Sequence, residues 1–308
     1  MRSAFFETLA RRAECDPRVY LLTGDLGFGV VEPYMAKFPG RFLNVGVAEQ
    51  NMTGVATGLA LSGKIVFTYS IANFPTLRCI EQIRNGPCYH RANVKVVAVG
   101  GGLAYGSLGM SHHATEDLAM MRALPNLTVV APGDPVEARW ATDAATMHDG
   151  PVYLRLGRQG EPEVHASRPA FTVGKAHMLR DGRDLTLIST GAMLGAAMRT
   201  ATLLDREGLS ARVLSMHTVK PLDEAAVTEA ATQTRLVVTI EEHSVIGGLG
   251  SAVAEVLAER EGAAPLKRLG LPSAFVSRAG SRDYLVAQYG LSDDAIRDSV
   301  LKLLERVV

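Results

Sequence analysis

Short apolar runs alternate with longer amphipathic stretches along most of the chain. In the first half, runs rich in branched apolar residues predict buried strands over residues 19–23, 42–47, 64–69, 94–99, 127–131 and 151–156. Between these runs, apolar residues spaced three or four apart predict helices over 3–14 and 115–124, and helices that begin at Glu49, near Asn73 and at Asp134. Strands that alternate with helices in this way are typical of a parallel sheet covered by helices.

The same alternation resumes in the second half, after a polar stretch over 159–183 that contains proline and glycine. It predicts strands over 185–189, 212–216, 236–240 and 266–270, and helices over 192–207, 223–232, 249–260 and 292–306. We therefore predict an α/β fold with two parallel-sheet domains. The domains are expected at 1–165 and 184–308, with a linker over 166–183.

Composition narrows the classes of function. The 308 residues are 47% hydrophobic, which is enough for two cores, and 32 Lys and Arg balance 32 Asp and Glu. This neutral balance argues against a nucleic acid or an anionic membrane as the main partner. The three cysteines have no CxxC spacing, which is typical of free thiols in a reducing compartment. No apolar run reaches the ~18 residues of a membrane span, so we expect a cytoplasmic protein.

Two glycine-rich segments follow predicted strands, but neither has the spacing of a known nucleotide-binding loop. The segments Gly100–Gly109 and Gly247–Gly250 fit neither GxGxxG nor GxxxxGK[ST]. The first leads to adjacent histidines, His112 and His113, which cannot easily share one metal ion, and no HExxH motif is present. The sequence therefore predicts no metal site within this chain.

The most informative segment is Val45–Gln50, which reads VGVAEQ and enters a helix with Gly54 and Gly58 on it. Small residues allow close packing, so we expect this helix to be covered on most sides. Glu49 lies in its first turn, where the helix dipole favours a negative charge. If this carboxylate is buried, it needs a partner or a raised pKa. On local pattern alone, a glutamate that caps its own helix is the simpler interpretation.

This segment resembles the signature of the pyrimidine-binding domain in transketolase-like, thiamine-diphosphate-dependent enzymes, and the whole chain is similar to the C-terminal half of a transketolase. The resemblance implies that Glu49 hydrogen-bonds N1′ of the cofactor's aminopyrimidine ring and so activates the cofactor. It also implies that Tyr69 or Phe74 stacks on this ring and that Asp25 lies near the cofactor. Without the resemblance, the aromatics are core residues and Asp25 is an Asx-turn residue.

The resemblance also assigns residues to the substrate. His112 follows Gly-Met-Ser where transketolases have a histidine after Gly-Pro-Thr, which implies contact with a substrate oxygen, and His113 is a weaker candidate. Arg155 or Arg158 resembles the arginine that binds the acceptor's phosphate, since a guanidinium suits an oxyanion. Without the resemblance, the histidine is a loop residue bonded to local backbone, and the arginine is a surface charge.

Two departures from the family pattern affect the substrate. Leu108 stands where many transketolases have an acidic residue, and Gly100 stands where they have a histidine. Losing one hydrogen-bonding side chain costs about 1–3 kcal/mol, which is enough to change substrate preference. The sequence therefore leaves the donor, the acceptor and the acceptor's phosphorylation open.

The chain has no Gly-Asp-Gly followed by an asparagine, which is the family's motif for Mg²⁺ and diphosphate. The resemblance thus implies the C-terminal subunit of a split transketolase, which transfers a two-carbon ketol unit from a ketose to an aldose. Thiamine diphosphate and Mg²⁺ would be held with a separate N-terminal diphosphate-binding subunit, in an α₂β₂ assembly that also joins copies of this chain. The alternatives are a β subunit of a 2-oxoacid dehydrogenase, a deoxyxylulose-phosphate-synthase-like half, or a non-catalytic partner subunit.

Overall fold

The computed structural model describes residues 1–166 and 171–307. The strands are β1 Val19–Thr23, β2 Phe42–Asn44, β3 Ile65–Ile71, β4 Val94–Val99, β5 Thr128–Val130, β6 Val152–Leu156, β7 His177–Arg180, β8 Leu185–Ser189, β9 Ala211–Ser215, β10 Thr218–Lys220, β11 Val237–Ser244 and β12 Leu266–Leu271. The helices are α1 Arg2–Cys15, α2 Glu32–Lys37, α3 Glu49–Leu61, α4 Asn73–Thr76, α5 Ile80–Ile83, α6 Asp117–Ala123, α7 Pro135–Met147, α8 Leu194–Arg206, α9 Glu224–Gln233, α10 Leu249–Ala258, α11 Arg282–Gln288 and α12 Asp293–Val307.

The first sheet has seven strands in the order β10-β5-β6-β4-β3-β1-β2 and is parallel except for β10. All six residues of β4 are buried, as expected for a strand of a parallel sheet that is covered on both faces. Helices α1 and α7 pack on one face, and α3 packs on the other. The carboxyl ends of β1, β3 and β4 lead into the loops that carry the candidate chemistry.

The second sheet has five strands in the order β12-β11-β8-β9-β7, with only β7 antiparallel. The predicted α/β fold with two mostly parallel sheets is therefore confirmed. Strand β7 lies inside the predicted linker and was missed because this edge strand is polar and only half-buried. Residues 167–170 of that linker lie outside the described residues.

Strand β10 was also missed, because it has only three residues. It comes from the second half of the chain but pairs antiparallel with β5 at the edge of the first sheet. The contact is continued by a hydrogen bond from Ala131 N to the carbonyl oxygen of His217, at 2.7 Å. The backbone of the second half thus completes the first sheet.

Helix α3 differs from its prediction. Gly54 and Gly58 are exposed, and a Cβ added to either would meet no atom within 4 Å. The opposite face packs into the core through Met52 and Ala56. The helix is therefore covered on one side only, and its glycine face is open in the single chain.

Candidate active site

Glu49 begins α3 directly after a sharp entry at Gly46, whose φ of +72° suits glycine. Its side chain is 1% exposed, and Arg78 Nη1 donates a hydrogen bond to Oε2 at 2.7 Å. The other oxygen, Oε1, is buried and has no hydrogen-bond partner among the described residues. Gly24 leaves space beside it, because a Cβ there would lie 3.5 Å from Oε1.

An unpartnered carboxylate oxygen in a buried position is costly, so native proteins rarely keep one without a use. The geometry around Glu49 fits a bound group that hydrogen-bonds to Oε1. A protonated aminopyrimidine ring nitrogen, which can donate to that oxygen, is such a group. This buried acceptor therefore fits the cofactor that the resemblance implies.

Arg78 and Phe74 continue the site from Glu49. The guanidinium carbon of Arg78 lies 5.4 Å from the centre of the Phe74 ring, and its side chain is 49% exposed. The Phe74 ring makes an edge-on contact with the His112 ring, with centroids 5.3 Å apart. The structure thus brings together Glu49, Phe74 and His112, and it adds Arg78, which sequence reasoning did not assign to the site.

The segment that carries Phe74 and Arg78 is an interrupted helix. The prediction was a helix that begins near Asn73, and α4 does begin there, but it gives way to a 3₁₀ turn over 77–79, to α5, and to a π turn over 84–88. Pro87 lies in the π turn, where its missing N–H disturbs the regular ladder. Irregular turns of this kind are frequent at functional sites.

The second part of the site is the histidine loop, which we define as Gly100–Glu116. Its two ends meet at a neck, where the backbones of Gly102 and Ala114 exchange hydrogen bonds of 2.8 and 3.0 Å. The side chain of Asn73 donates to the carbonyl oxygen of Ser111 at 3.2 Å, which ties the loop to α4. The loop is thus held at its neck and near its tip.

The two histidines of this loop have different surroundings. His112 is partly exposed, and its Nδ1 lies 3.0 Å from Ser111 Oγ. His113 is buried, with Nε2 at 3.3 Å from the carbonyl oxygen of Gly106, and burial lowers its pKa. Nδ1 of His113 has no partner in the described part of the chain. His112 is the better placed of the two to reach a ligand.

A cavity of ≈ 550 Å³ lies beside Phe74 and His113, and this volume is within the ~300–1,000 Å³ range of small-molecule sites. It is lined by the interrupted helix, by the histidine loop and by the second domain through Phe275, which is 75% exposed. Phe74, Arg78 and His113 line it, and the His112 ring lies next to it through its contact with the Phe74 ring. The cavity is therefore shared between both halves of the chain.

Tyr69 does not fit its predicted stacking role. It is buried in the first core, where its ring stacks on Phe5 at 6.0 Å and meets the edge of Phe6 at 4.9 Å. Burial raises the pKa of its phenol. Because its ring is enclosed by protein, Phe74 is the remaining candidate for the pyrimidine.

Arg155 does not fit its predicted substrate role either. It is buried on β6, and its guanidinium donates to Asp117 Oδ2 at 2.7 Å and to the carbonyl oxygens of Ala114 and Glu242. The alternative that Arg155 is a surface charge is also wrong, because its side chain is buried. Arg155 is an internal anchor of the histidine loop and has no free face for a substrate.

Arg158 lies two residues beyond β6 and is exposed. Its guanidinium carbon is 4.9 Å from the centre of the Tyr105 ring, and it lines a second cavity of ≈ 510 Å³ together with Arg282. Of the two predicted arginines, only Arg158 can reach an external anion.

Asp25 follows β1 with a φ of +57° and is exposed. It is tied to Asn44 twice, since Asn44 Nδ2 donates to Asp25 Oδ1 at 2.9 Å and the Asp25 N–H donates to Asn44 Oδ1 at 3.0 Å. This turn follows Gly24, the residue that lies against Glu49. Asp25 thus directly follows the residue that packs against Glu49, and its place near the cofactor stays a prediction.

Within residues 1–166 and 171–307, no group of three or more His, Cys, Asp or Glu side chains could hold a metal ion. None of the helices found there combines the length and the apolar character that crossing a bilayer requires.

Comparison with known proteins adds independent findings. A model of the transketolase pyrimidine binding domain matches residues 1–162, and a model of the transketolase C-terminal domain matches residues 174–296. The chain is 39% identical to a putative transketolase C-terminal section from Methanocaldococcus jannaschii, over 99% of this chain and 96% of that protein. It is 40% identical to the 6-deoxy-6-sulfo-D-fructose transketolase subunit SqwH from a Clostridium species, over 99% and 95%. A solved structure described as a split gene transketolase, inactive beta4 tetramer, is similar with a TM-score of 0.90 and 42% identity, covering 98% of this chain and 97% of that one.

Proposed function

Because this chain belongs to the transketolase family, we propose that it is the C-terminal, β subunit of a split transketolase and takes part in ketol transfer from a ketose to an aldose. The observation that carries this proposal is the buried Glu49, whose Oε1 has no partner within the described residues. Arg78 links Glu49 to the Phe74 ring, which in turn contacts the His112 ring.

The family depends on thiamine diphosphate, which when bound supplies a carbon nucleophile for the donor's carbonyl group. In this chain, Glu49 Oε1 would hold the pyrimidine nitrogen, and Phe74 would offer its ring face. Arg78 fixes the carboxylate through Oε2 with a charge-assisted hydrogen bond and leaves Oε1 to exchange a proton. No other described residue competes for that oxygen.

On the substrate side, we assign proton transfer at a sugar oxygen to His112. Ser111 Oγ orients its ring from Nδ1, which leaves Nε2 for the substrate. We assign the acceptor's anionic end to Arg158, because its guanidinium is exposed at the ≈ 510 Å³ cavity. An anionic end suits a phosphorylated or sulfonated sugar, and the relative SqwH is described as acting on a sulfonated one.

We assign the diphosphate, the Mg²⁺ and the second wall of the site to an N-terminal subunit. The open glycine face of α3 runs directly from Glu49, and exposed apolar side chains surround it: Leu43, Val47, Leu61, Leu77 and Tyr89. A single-chain surface of this kind is typical of a protein interface. The related structure is described as an inactive tetramer of β subunits, which fits a need for a second kind of subunit in an α₂β₂ assembly.

The three cysteines are free, with two of them buried, which supports a place in the reducing cytoplasm. This location stays a prediction.

The test is to purify the chain alone and together with the diphosphate-binding subunit from the same organism. Ketol transfer from ketose phosphates and sulfonates to aldoses would be followed by mass spectrometry, and cofactor binding by isothermal titration with thiamine diphosphate and Mg²⁺. We expect binding and turnover only with both subunits. Micromolar cofactor binding by this chain alone would contradict the shared site, and CO₂ release from pyruvate without ketol transfer would favour the dehydrogenase or synthase alternatives.

A further inference from the structure

The histidine loop is closed at its neck, where Gly102 and Ala114 are hydrogen-bonded to each other. All residues between these two belong to the loop. The neck therefore constrains the position of His112 together with the hydrogen bond from Asn73 to Ser111. Arg155 holds one side of the neck from the first sheet, through the carbonyl oxygen of Ala114 at 2.9 Å. What holds the other side comes from the second domain.

Glu242 lies on β11 of the second sheet and is 2% exposed. Its Oε1 accepts a hydrogen bond from the backbone N–H of Leu103 at 2.6 Å, next to the neck. Its Oε2 accepts from Arg282 Nε at 2.8 Å. Its own carbonyl oxygen accepts from Arg155 at 3.0 Å, so both anchors of the neck also touch each other.

The packing at this point leaves no free space. A Cβ added to Gly102 would come within 2.7 Å of Glu242 at both its side chain and its carbonyl oxygen. Further along the loop, Gly280 N donates to the carbonyl oxygen of Gly106 at 3.4 Å, and a Cβ on Gly106 would lie 2.6 Å from the Gly280 carbonyl oxygen. The same Gly106 oxygen lies 3.3 Å from Nε2 of His113.

We infer that Glu242, oriented by Arg282, is a positioning residue that the second domain supplies to the active site. It fixes the neck of the histidine loop and so helps to set the place of His112 relative to Phe74 and Glu49. This inference rests on the proposed function, since it gives the second domain a part in that reaction. Glu242 touches neither the cavity wall nor Glu49.

Three variants separate positioning from simple stability, each assayed in the complex with the diphosphate-binding subunit. Glu242→Gln keeps an oxygen for Leu103 but loses the charge that faces Arg282. Glu242→Ala loses both contacts, and Arg282→Met removes the orienting partner. We expect kcat/KM for ketol transfer to fall about 10- to 100-fold in Glu242→Ala and less in Glu242→Gln, because a small misplacement of a reacting group has effects of this size.

Cofactor binding provides the second readout. Glu49, Arg78 and Phe74 do not touch Glu242, so the Kd for thiamine diphosphate should stay within about twofold of wild type. Hydrogen exchange of the chain, followed by mass spectrometry, should rise over 103–114 in Glu242→Ala and stay unchanged over α3.

The matched control is Asp223→Ala. Asp223 is another buried carboxylate of the second domain that accepts backbone hydrogen bonds, from Ala176 and Ala226, but it lies away from the histidine loop. We expect this variant to lower the melting temperature without lowering kcat/KM. Equal losses of kcat/KM in both variants would overturn the positioning role.

The two proposals fail in different ways. If the wild-type complex transfers no ketol group, the proposed function fails, and hydrogen exchange still tests the neck in the chain. If wild type is active but Glu242→Ala keeps its kcat/KM and its exchange over 103–114, the inference alone fails. Should Glu242→Ala not fold, Glu242→Gln decides by the same two measurements. For Arg282→Met only hydrogen exchange decides, because Arg282 also lines the cavity assigned to the acceptor.

Discussion

Among the described residues, the first domain contains two buried carboxylates that each pair with an arginine, Asp117 and Glu49, and only one of them has hydrogen bonds on both oxygens. Asp117 receives hydrogen bonds on both oxygens, from Arg155 and Tyr153, and the Arg155 side chain is only 5% exposed. Glu49 receives one hydrogen bond on one oxygen, and its partner Arg78 is half exposed.

The electrostatics of Asp117 are those of a paired carboxylate. Burial by itself would raise the pKa of Asp117, but the charge of Arg155 and the hydrogen bonds outweigh it and lower that pKa. The Asp117 pair is therefore a closed structural unit, whereas the Glu49 pair keeps one acceptor for something outside the chain. The difference teaches that hydrogen-bond satisfaction separates a structural ion pair from a functional one more clearly than burial does.

The largest expected effect tests the Glu49–Arg78 pair, which we call the open pair because Glu49 keeps one acceptor oxygen. Glu49→Gln keeps the shape of the side chain but removes its proton transfer, so ketol transfer by the complex should fall about 10²- to 10⁴-fold. The melting temperature of the chain should not fall, because the half-exposed Arg78 can be solvated. Glu81→Gln, an exposed glutamate on α5, is the control and should keep full turnover. Turnover above a tenth of wild type in Glu49→Gln would place the chemistry elsewhere.

The next effect tests the closed pair. Arg155→Met leaves the Asp117 carboxylate buried without its cation, so the free energy of unfolding in urea should fall by about 3–5 kcal/mol. Adding Asp117→Asn should recover part of this loss, since the uncompensated charge is then gone. A loss under about 1 kcal/mol would mean that Asp117 and Arg155 are not a mutually dependent pair.

The pH dependence of stability provides a further test of the Asp117 pair. The folded pKa of Asp117 lies below its ordinary value of 3.8, so its contribution to stability is present above that value and is lost as pH falls below about 4. The melting temperature of wild type should drop between pH 5 and pH 3. Asp117→Asn should start lower but drop less over the same interval. Parallel curves for the two proteins would show that Asp117 does not carry this pH dependence.

The smallest effect returns to the open pair. Arg78→Met should lower the free energy of unfolding by about 1–3 kcal/mol, because the buried Glu49 carboxylate loses its one hydrogen bond. The loss should stay below that of Arg155→Met, since water can reach the place of the half-exposed Arg78 side chain. Its ketol transfer should fall less than that of Glu49→Gln, since the carboxylate stays in place but loses its orientation. Arg78→Lys should restore part of the activity. A stability loss as large as that of Arg155→Met would erase the distinction between the pairs.

The fold could be predicted because the periodicity of apolar residues reports secondary structure directly, and both sheets follow from it. The short strands β7 and β10 could not, since their pairing depends on distant partners rather than on their own pattern. The glycine face of α3 was misjudged because small residues indicate close approach without saying which molecule approaches.

For the site, the resemblance assigned Glu49, His112 and either Tyr69 or Phe74 to one active site. In the structure Phe74 contacts His112 and also Arg78, the partner of Glu49. The resemblance also assigned Arg155 and Tyr69 to ligands, because a sequence does not show how deeply a strand residue is buried. Arg78 was not predicted as a site residue, because its contact with Glu49 depends on the conformation of the interrupted helix. Exact partners of this kind arise from tertiary packing alone.

Strand β10 has a consequence for how this protein can be divided. A fragment that ends near residue 165 would keep Glu49 and the histidine loop. It would lose β10, the strand that covers the edge of β5. Uncovered strand edges recruit other chains, so such a fragment should aggregate. A gene rearrangement that separates the two halves would therefore need to keep Thr218–Lys220 with the first half. The two sheets are thus expected to be inherited together.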